Sequence, residues 1–245
     1  RYIFINIMDI HLLSGDSLLE EFQKTGIEGE VKVCPECFVD GDLQSDGLED
    51  FWEKRAQFLE AENYEEKVKD EFISLYNLAD DANSVVNLWF ERELFCQVNM
   101  WFSIWLLRST EAKFQIVYPV LDEGDSLLKN WSELDTDGLK ESFEKRSKVV
   151  YNDVFLTVQL WEAFRDRDFK TLAELGSRES HAYPTLKETT EAAITLDTRP
   201  KEIVKEIIAE GKSDFGEVFA EFCKREPIYG FGDLQVKRIF DEVSA

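Results

Sequence analysis

Three short segments of this chain set polar residues where a strand signal runs out. Ser14-Gly15-Asp16-Ser17 follows the apolar run at 10–13, and Asp40-Gly41-Asp42 comes shortly after the alternating run at 30–33. Glu91-Arg92-Glu93, with Gln97 and Asn99 beyond it, follows 84–90. Gly15 would let the backbone approach a ligand closely, and Ser17 can cap a helix or hydrogen-bond a phosphate. Carboxylates such as Asp40 and Glu91 can grip ribose hydroxyls, hold a metal or serve as acid and base. Gln97 would orient what they hold. Gly15, Ser17, Asp40, Glu91 and Gln97 are therefore the candidate ligand-binding set, suited to a nucleotide or another phosphorylated metabolite. The segment at 14–17 lacks the Lys of a P-loop and the three glycines of a dinucleotide fingerprint. It also reads as an ordinary helix start with Asp16 or Ser17 at the cap. These residues name neither a reaction nor a cofactor.

Cys34-Pro-Glu-Cys37 has the spacing of a redox dithiol or half of a zinc site. A redox pair opens a helix, whereas here a further extended segment follows, and Cys96, Cys223, His11 and His181 supply no second close pair. Buried or incidental thiols are the expectation, with no metal. His11 lies inside a strand signal and His181 in an interhelical loop, so neither builds a nucleophilic triad. Trp101, Phe102 and Trp105 recur at helical spacing and read as core.

The elements that must position the candidate set follow from periodicity. Strand signals at 10–13, 30–33, 84–90 and 114–118 alternate with helical signals beginning near Leu18, across 48–78, and from Phe95 to Leu107. That alternation predicts a mostly parallel sheet flanked by helices, joined by right-handed crossovers. In such a sheet ligands bind outside the carboxyl ends of the strands, which is why the three polar turns should gather around one hollow. From Asp137 to Ala245 the pattern is mainly α-helical, punctuated by Gly176, Pro184, Pro200, Gly211 and Gly230. The expected organisation is an N-terminal α/β domain at 8–125, a mainly helical C-terminal domain at 137–245, and an upstream extension at 1–7. The last helix, with Asp233 at its cap and Gln235, Lys237 and Arg238 of exposed type, could belong to a winged-helix-like unit.

The chain has 245 residues, 44% of them hydrophobic, enough to build a sizeable core. Its net charge of −23 repels phosphate backbones and argues against nucleic acid as a partner. No apolar run reaches the length of a membrane span, and sparse cysteines favour a reducing, cytoplasmic setting. A non-catalytic protein-interaction or regulatory module is the alternative reading, supported by the acidic surface and the helical second half.

The chain also resembles a bacterial family known as a domain of unknown function, number eighteen thirty-five, often joined to a second uncharacterised domain. The likeness rests on Gly15-Asp16-Ser17, Asp40-Gly41, Phe51-Trp52 with Arg55, Leu88-Trp-Phe-Glu91, Leu94-Phe-Cys-Gln97 and Asn99. It continues through Leu160-Trp-Glu-Ala-Phe-Arg165, Tyr183-Pro-Thr-Leu186 and Gly232-Asp-Leu-Gln-Val-Lys-Arg-Ile-Phe240. The family's second turn reads Gly-Pro where this chain has Gly41-Asp42, and Cys34-Pro-Glu-Cys37 is not shared. The resemblance implies the two-part arrangement and a bacterial cytoplasmic setting, and it implies no activity.

Overall fold

The computed structural model describes residues 8–59, 68–81 and 83–244. The expected extension at 1–7 and the middle of the helical stretch 48–78 lie outside the described residues. Strands β1 (Met8–Leu13), β2 (Glu30–Val33), β3 (Ser84–Trp89), β4 (Lys113–Val117) and β5 (Ser147–Lys148) form one sheet in the order β2-β1-β3-β4-β5. The first four pair in parallel, with Ile10 opposite Glu30 and Val86, and Val86 opposite Phe114. The α/β class with a mostly parallel sheet, followed by a mainly helical region, is the observed architecture. Strand β5 departs from expectation, because it comes from the helical half and pairs antiparallel with β4. It is two exposed residues long, with no apolar alternation to announce it.

Helix α1 (Asp16–Thr25) joins β1 to β2, while α2 (Leu48–Leu59) and α3 (Asp70–Ala79) carry the chain back past β1 to β3. Right-handed crossovers running in opposite directions along the sheet must place their helices on opposite faces. The core divides accordingly. Leu13, Trp89 and Val117 pack with Leu18 and Phe22 of α1 and with Leu139 of α5 (Thr136–Glu144). Their strand neighbours Leu12, Leu88 and Ile116 face the other way, as alternation demands, and meet Phe51, Phe72 and Phe102. The topological switch point lies between β1 and β3.

Helix α4 (Leu94–Leu107) is buried on all sides, with apolar residues around its whole circumference. It packs against α6 (Tyr151–Arg165) and α8 (Leu186–Ile194) of the second half, whose other long helices are α7 (Phe169–Gly176), α9 (Arg199–Ala209), α10 (Phe215–Arg225) and α11 (Asp233–Ser244). Phe102 on α4 lies 5.0 Å from the Trp161 ring on α6, so one apolar core continues from sheet to helices. Each fully buried Phe or Leu there contributes about 1.5–3 kcal/mol. No helix among the described residues is long and apolar enough to cross a membrane.

Candidate functional site

The loop after β2 is held in place from below. Glu36 and Arg55 form an ion pair with both side chains fully buried, Arg55 Nε donating to Glu36 Oε1 and Nη2 to Oε2, each at 2.8 Å. Arg55 also donates to the backbone oxygens of Cys37 and Asp40. Asn99 of α4 accepts from the Phe38 N–H at 3.1 Å and donates to the Glu36 carbonyl at 2.7 Å. Gly41 completes the turn at φ +80°, where a Cβ would press into the Phe58 ring at 2.8 Å. A buried charge pair with every hydrogen bond made is costly to disturb. The loop therefore presents Asp40 as a fixed group.

Asp40 looks across a cleft of about 500 Å³ at the helical half. Its Oδ2 accepts from Arg238 Nη1 at 2.7 Å and from Gln235 Nε2 at 3.2 Å, both on α11. Arg165, Arg167 and Lys201 also line the cleft, so four cations from three parts of the chain meet there. Asp42, Asp197 and Glu242 join Asp40 among the lining residues. Arg167 pairs with Asp197, and Lys201 Nζ lies 2.7 Å from Glu242 Oε1. All these pairs are partly exposed and individually weak. Phe169, also in the wall, is 37% exposed.

Arg167 reaches the cleft through an unusual backbone. Helix α6 ends with the Asp168 N–H on the Ala163 carbonyl and the Arg167 N–H on the Phe164 carbonyl, the bonding of a Schellman motif. Its left-handed position, ordinarily glycine, is here Arg167 at φ +56°. An L-residue in that conformation costs roughly 1–2 kcal/mol. The side chain is kept at the cleft's edge against a local preference for glycine.

The remaining members of the sequence-derived set lie elsewhere. Gly15 is the N-cap of α1 in extended conformation, in place of the expected Asp16 or Ser17, and no side chain caps this helix. A Cβ there would meet nothing, so Gly15 answers no demand for close approach. Ser17 is exposed on α1. Glu91 and Gln97 adjoin each other at the carboxyl end of β3, Gln97 Nε2 donating to the Glu91 carbonyl at 2.7 Å. Of the five, only Asp40 lines the cleft. The loop after β2 crosses to the α4 face, whereas α1 packs on the opposite face. Parallel strands bring the turns to one edge of the sheet, yet the turns leave that edge in different directions.

At the switch point itself the chain bonds to its own groups. Glu91 Oε1 accepts from the Trp131 N–H at 2.8 Å, and Oε2 from the Cys96 thiol at 3.1 Å. Glu93 caps α4 by accepting from the Cys96 N–H at 3.0 Å, and a Cβ on Gly230 would collide with its carboxyl. Arg92 turns away, donating to the Pro119 carbonyl at 3.0 Å and stacking on Tyr118. Burial, with the nearby Glu91 charge, pushes the Glu93 carboxyl up to about 8; burial also raises Glu91. The ligand atoms of Glu91, Glu93 and Cys96 lie within 4.8 Å of one another, a spacing open to a metal ion. A thiol with two carboxylates is a donor set that zinc accepts; burial, with the neighbouring Glu93 and Glu91, holds the thiol well above its usual range.

All four cysteines are free thiols. Burial raises the Cys34 thiol to about 12 and raises Cys37 as well, which is contrary to what a redox pair requires. His11 is fully buried in β1, its Nδ1 accepting from Trp89 Nε1 and its Nε2 facing the Glu28 carbonyl at 3.1 Å. That arrangement suits the neutral ring, and burial lowers its pKa. Sequence reasoning missed Arg165, Arg167 and Lys201; the first two are neighbours at the end of α6, and Lys201 joins them through helix packing. Compared with protein-family models, curated proteins and solved structures, the chain matches none.

Proposed function

We propose that the chain binds a small phosphorylated metabolite, a nucleotide by preference, in the cleft between the loop after β2 and the C-terminal helices. The observation that carries this reading is the gathering of Arg165, Arg167, Lys201 and Arg238 in one cleft of a chain whose net charge is −23. Guanidinium groups bind phosphate through paired, charge-assisted hydrogen bonds. The present partners of Arg165, Arg167, Lys201 and Arg238 are partly exposed carboxylates that a phosphate can displace at little cost. Phe169 offers a face to a base, and Asp40 or Asp42 an acceptor to ribose hydroxyls. The volume falls inside the range of about 300–1,000 Å³ usual for small-molecule sites. The test is a thermal-shift and calorimetric titration with ADP, using ribose 5-phosphate and adenosine as the separated halves. ADP should raise the melting temperature of the parent chain and much less that of Arg238→Ala. No effect of any of the three at millimolar concentration would end the proposal.

A protein-interaction role is the second reading, and one observation favours it. Val150, Tyr151 and Phe155 at the start of α6 are 56%, 82% and 55% exposed. Tyr151 and Phe155 are four residues apart and share a helix face, making an apolar spot on a charged surface. A monodisperse monomer whose pull-down profile is unaltered by Tyr151→Ser with Phe155→Ser would remove that reading.

A further inference from the structure

A second cavity, of about 520 Å³, is lined in part by α6 and shares Arg165 with the first cleft. Its walls are aromatic: Phe51 and Trp52 of α2, Phe72 of α3, Phe102 and Trp105 of α4, and Trp161 of α6. The rings already stack or meet edge to face, Phe51 on Phe102 at 5.5 Å and Trp52 on Phe72 at 5.5 Å. A flat ring entering such a space finds partners in the same geometries. Trp161 is 1% exposed, and its indole N–H has no acceptor among the described residues.

The charge of the lining settles the kind of ligand. The chain carries 51 acids against 28 bases, yet the described lining residues include no carboxylate and two arginines, Arg108 and Arg165. Arg108 is exposed, lies over the Trp105 ring at 4.4 Å, and donates to the Trp105 carbonyl. No carboxylate pairs with it among the described residues. An unpaired guanidinium beside an aromatic cavity recruits an anion whose body is apolar. We propose that this cavity is a binding site for a small aromatic carboxylate, its ring against the accessible wall of Leu48, Ile73 and Trp105, above the buried Trp52, Phe102 and Trp161, and its carboxylate on Arg108. The carboxylate anchor Arg108 lies outside the phosphate cleft, and Arg165 alone lines both cavities.

Titration of the full chain with naphthoate, followed by calorimetry and by tryptophan fluorescence, tests this, with naphthamide as the neutral counterpart. Naphthoate should bind and perturb the fluorescence, and naphthamide should bind at least roughly tenfold more weakly, the worth of one charge-assisted hydrogen bond. Arg108→Gln should bring naphthoate down to the naphthamide level. Ile73→Trp, at a lining position 45% exposed, should fill the mouth and abolish binding, with Leu48→Trp as the second variant should the first fail to fold. Arg238→Ala, in the other cleft, should leave naphthoate binding unchanged, so the two proposals can fail separately. Absence of naphthoate binding at millimolar concentration, equal affinity for naphthamide, or full binding by both filled variants would each overturn the proposal.

Discussion

Two regions of this molecule carry carboxylates at the carboxyl ends of parallel strands, and they treat them in opposite ways. At the switch point between β1 and β3, Glu91 and Glu93 are enclosed by the chain's own Trp131, Cys96 and Gly230, and no cation among the described residues pairs with them. Beyond β2, Asp40 stands on a rigid loop and is bonded directly to Arg238 and Gln235 at the wall of a cleft. In the first region burial raises both carboxyls, Glu93 to about 8; in the second the carboxylate is paired with a cation. Position at a strand end is therefore not enough to make a site. What separates the two is room for a guest and charged partners that can be exchanged.

The comparison breaks most severely at its foundation. Arg55→Met removes one half of a buried ion pair and should cost roughly 3–5 kcal/mol, read as a lower urea midpoint, with loss of the Asp40 loop. An unchanged midpoint would mean that the loop is not held by this pair.

The next test addresses the switch point. Glu93 holds its proton up to about pH 8 when folded and near 4.5 when unfolded. Between those values the folded chain binds the extra proton, so rising pH erodes stability across that window; the contribution is intact below it. Glu93→Gln should abolish this component. Its urea midpoint should match the parent near pH 5 and exceed it near pH 8, and parallel curves for the two proteins would refute the buried, uncharged state.

Smaller effects are expected in the cleft. Arg238→Ala should weaken ADP binding by roughly tenfold while changing stability by less than about 1 kcal/mol, since its pair with Asp40 is partly exposed. Arg167→Gly is the most delicate probe. Glycine suits the left-handed position, so stability should hold or rise by up to about 1 kcal/mol while ADP affinity falls. A clear loss of stability would show that Arg167 is there for the fold.

Much of the front half was legible because its signals are local. The Glu30–Val33 alternation, the continuous apolar run of β3 and the intervening helices follow from short-range pattern, and strand direction follows from crossover handedness. Asp40 could be found because Asp40-Gly41-Asp42 marks a turn after a strand. The closure of the switch point could not, since it depends on a Trp131–Glu91 bond across forty positions of sequence. Nor could the cations of the cleft, drawn from α6, α9 and α11 by packing alone. Arg167 was hidden for another reason: nothing in Arg-Asp-Arg-Asp says that its third residue sits where glycine is usual.

Arg165, the last residue of α6, stands in the partition between two chambers. Its guanidinium is held by Asp166, Nε at 2.8 Å and Nη2 at 3.0 Å, and once released from that pair it can turn fully toward only one chamber at a time. An anion that draws it into one chamber deprives the other, and thermodynamic reciprocity makes the penalty equal in both directions. Two guests sharing this partition would therefore be antagonists without ever touching.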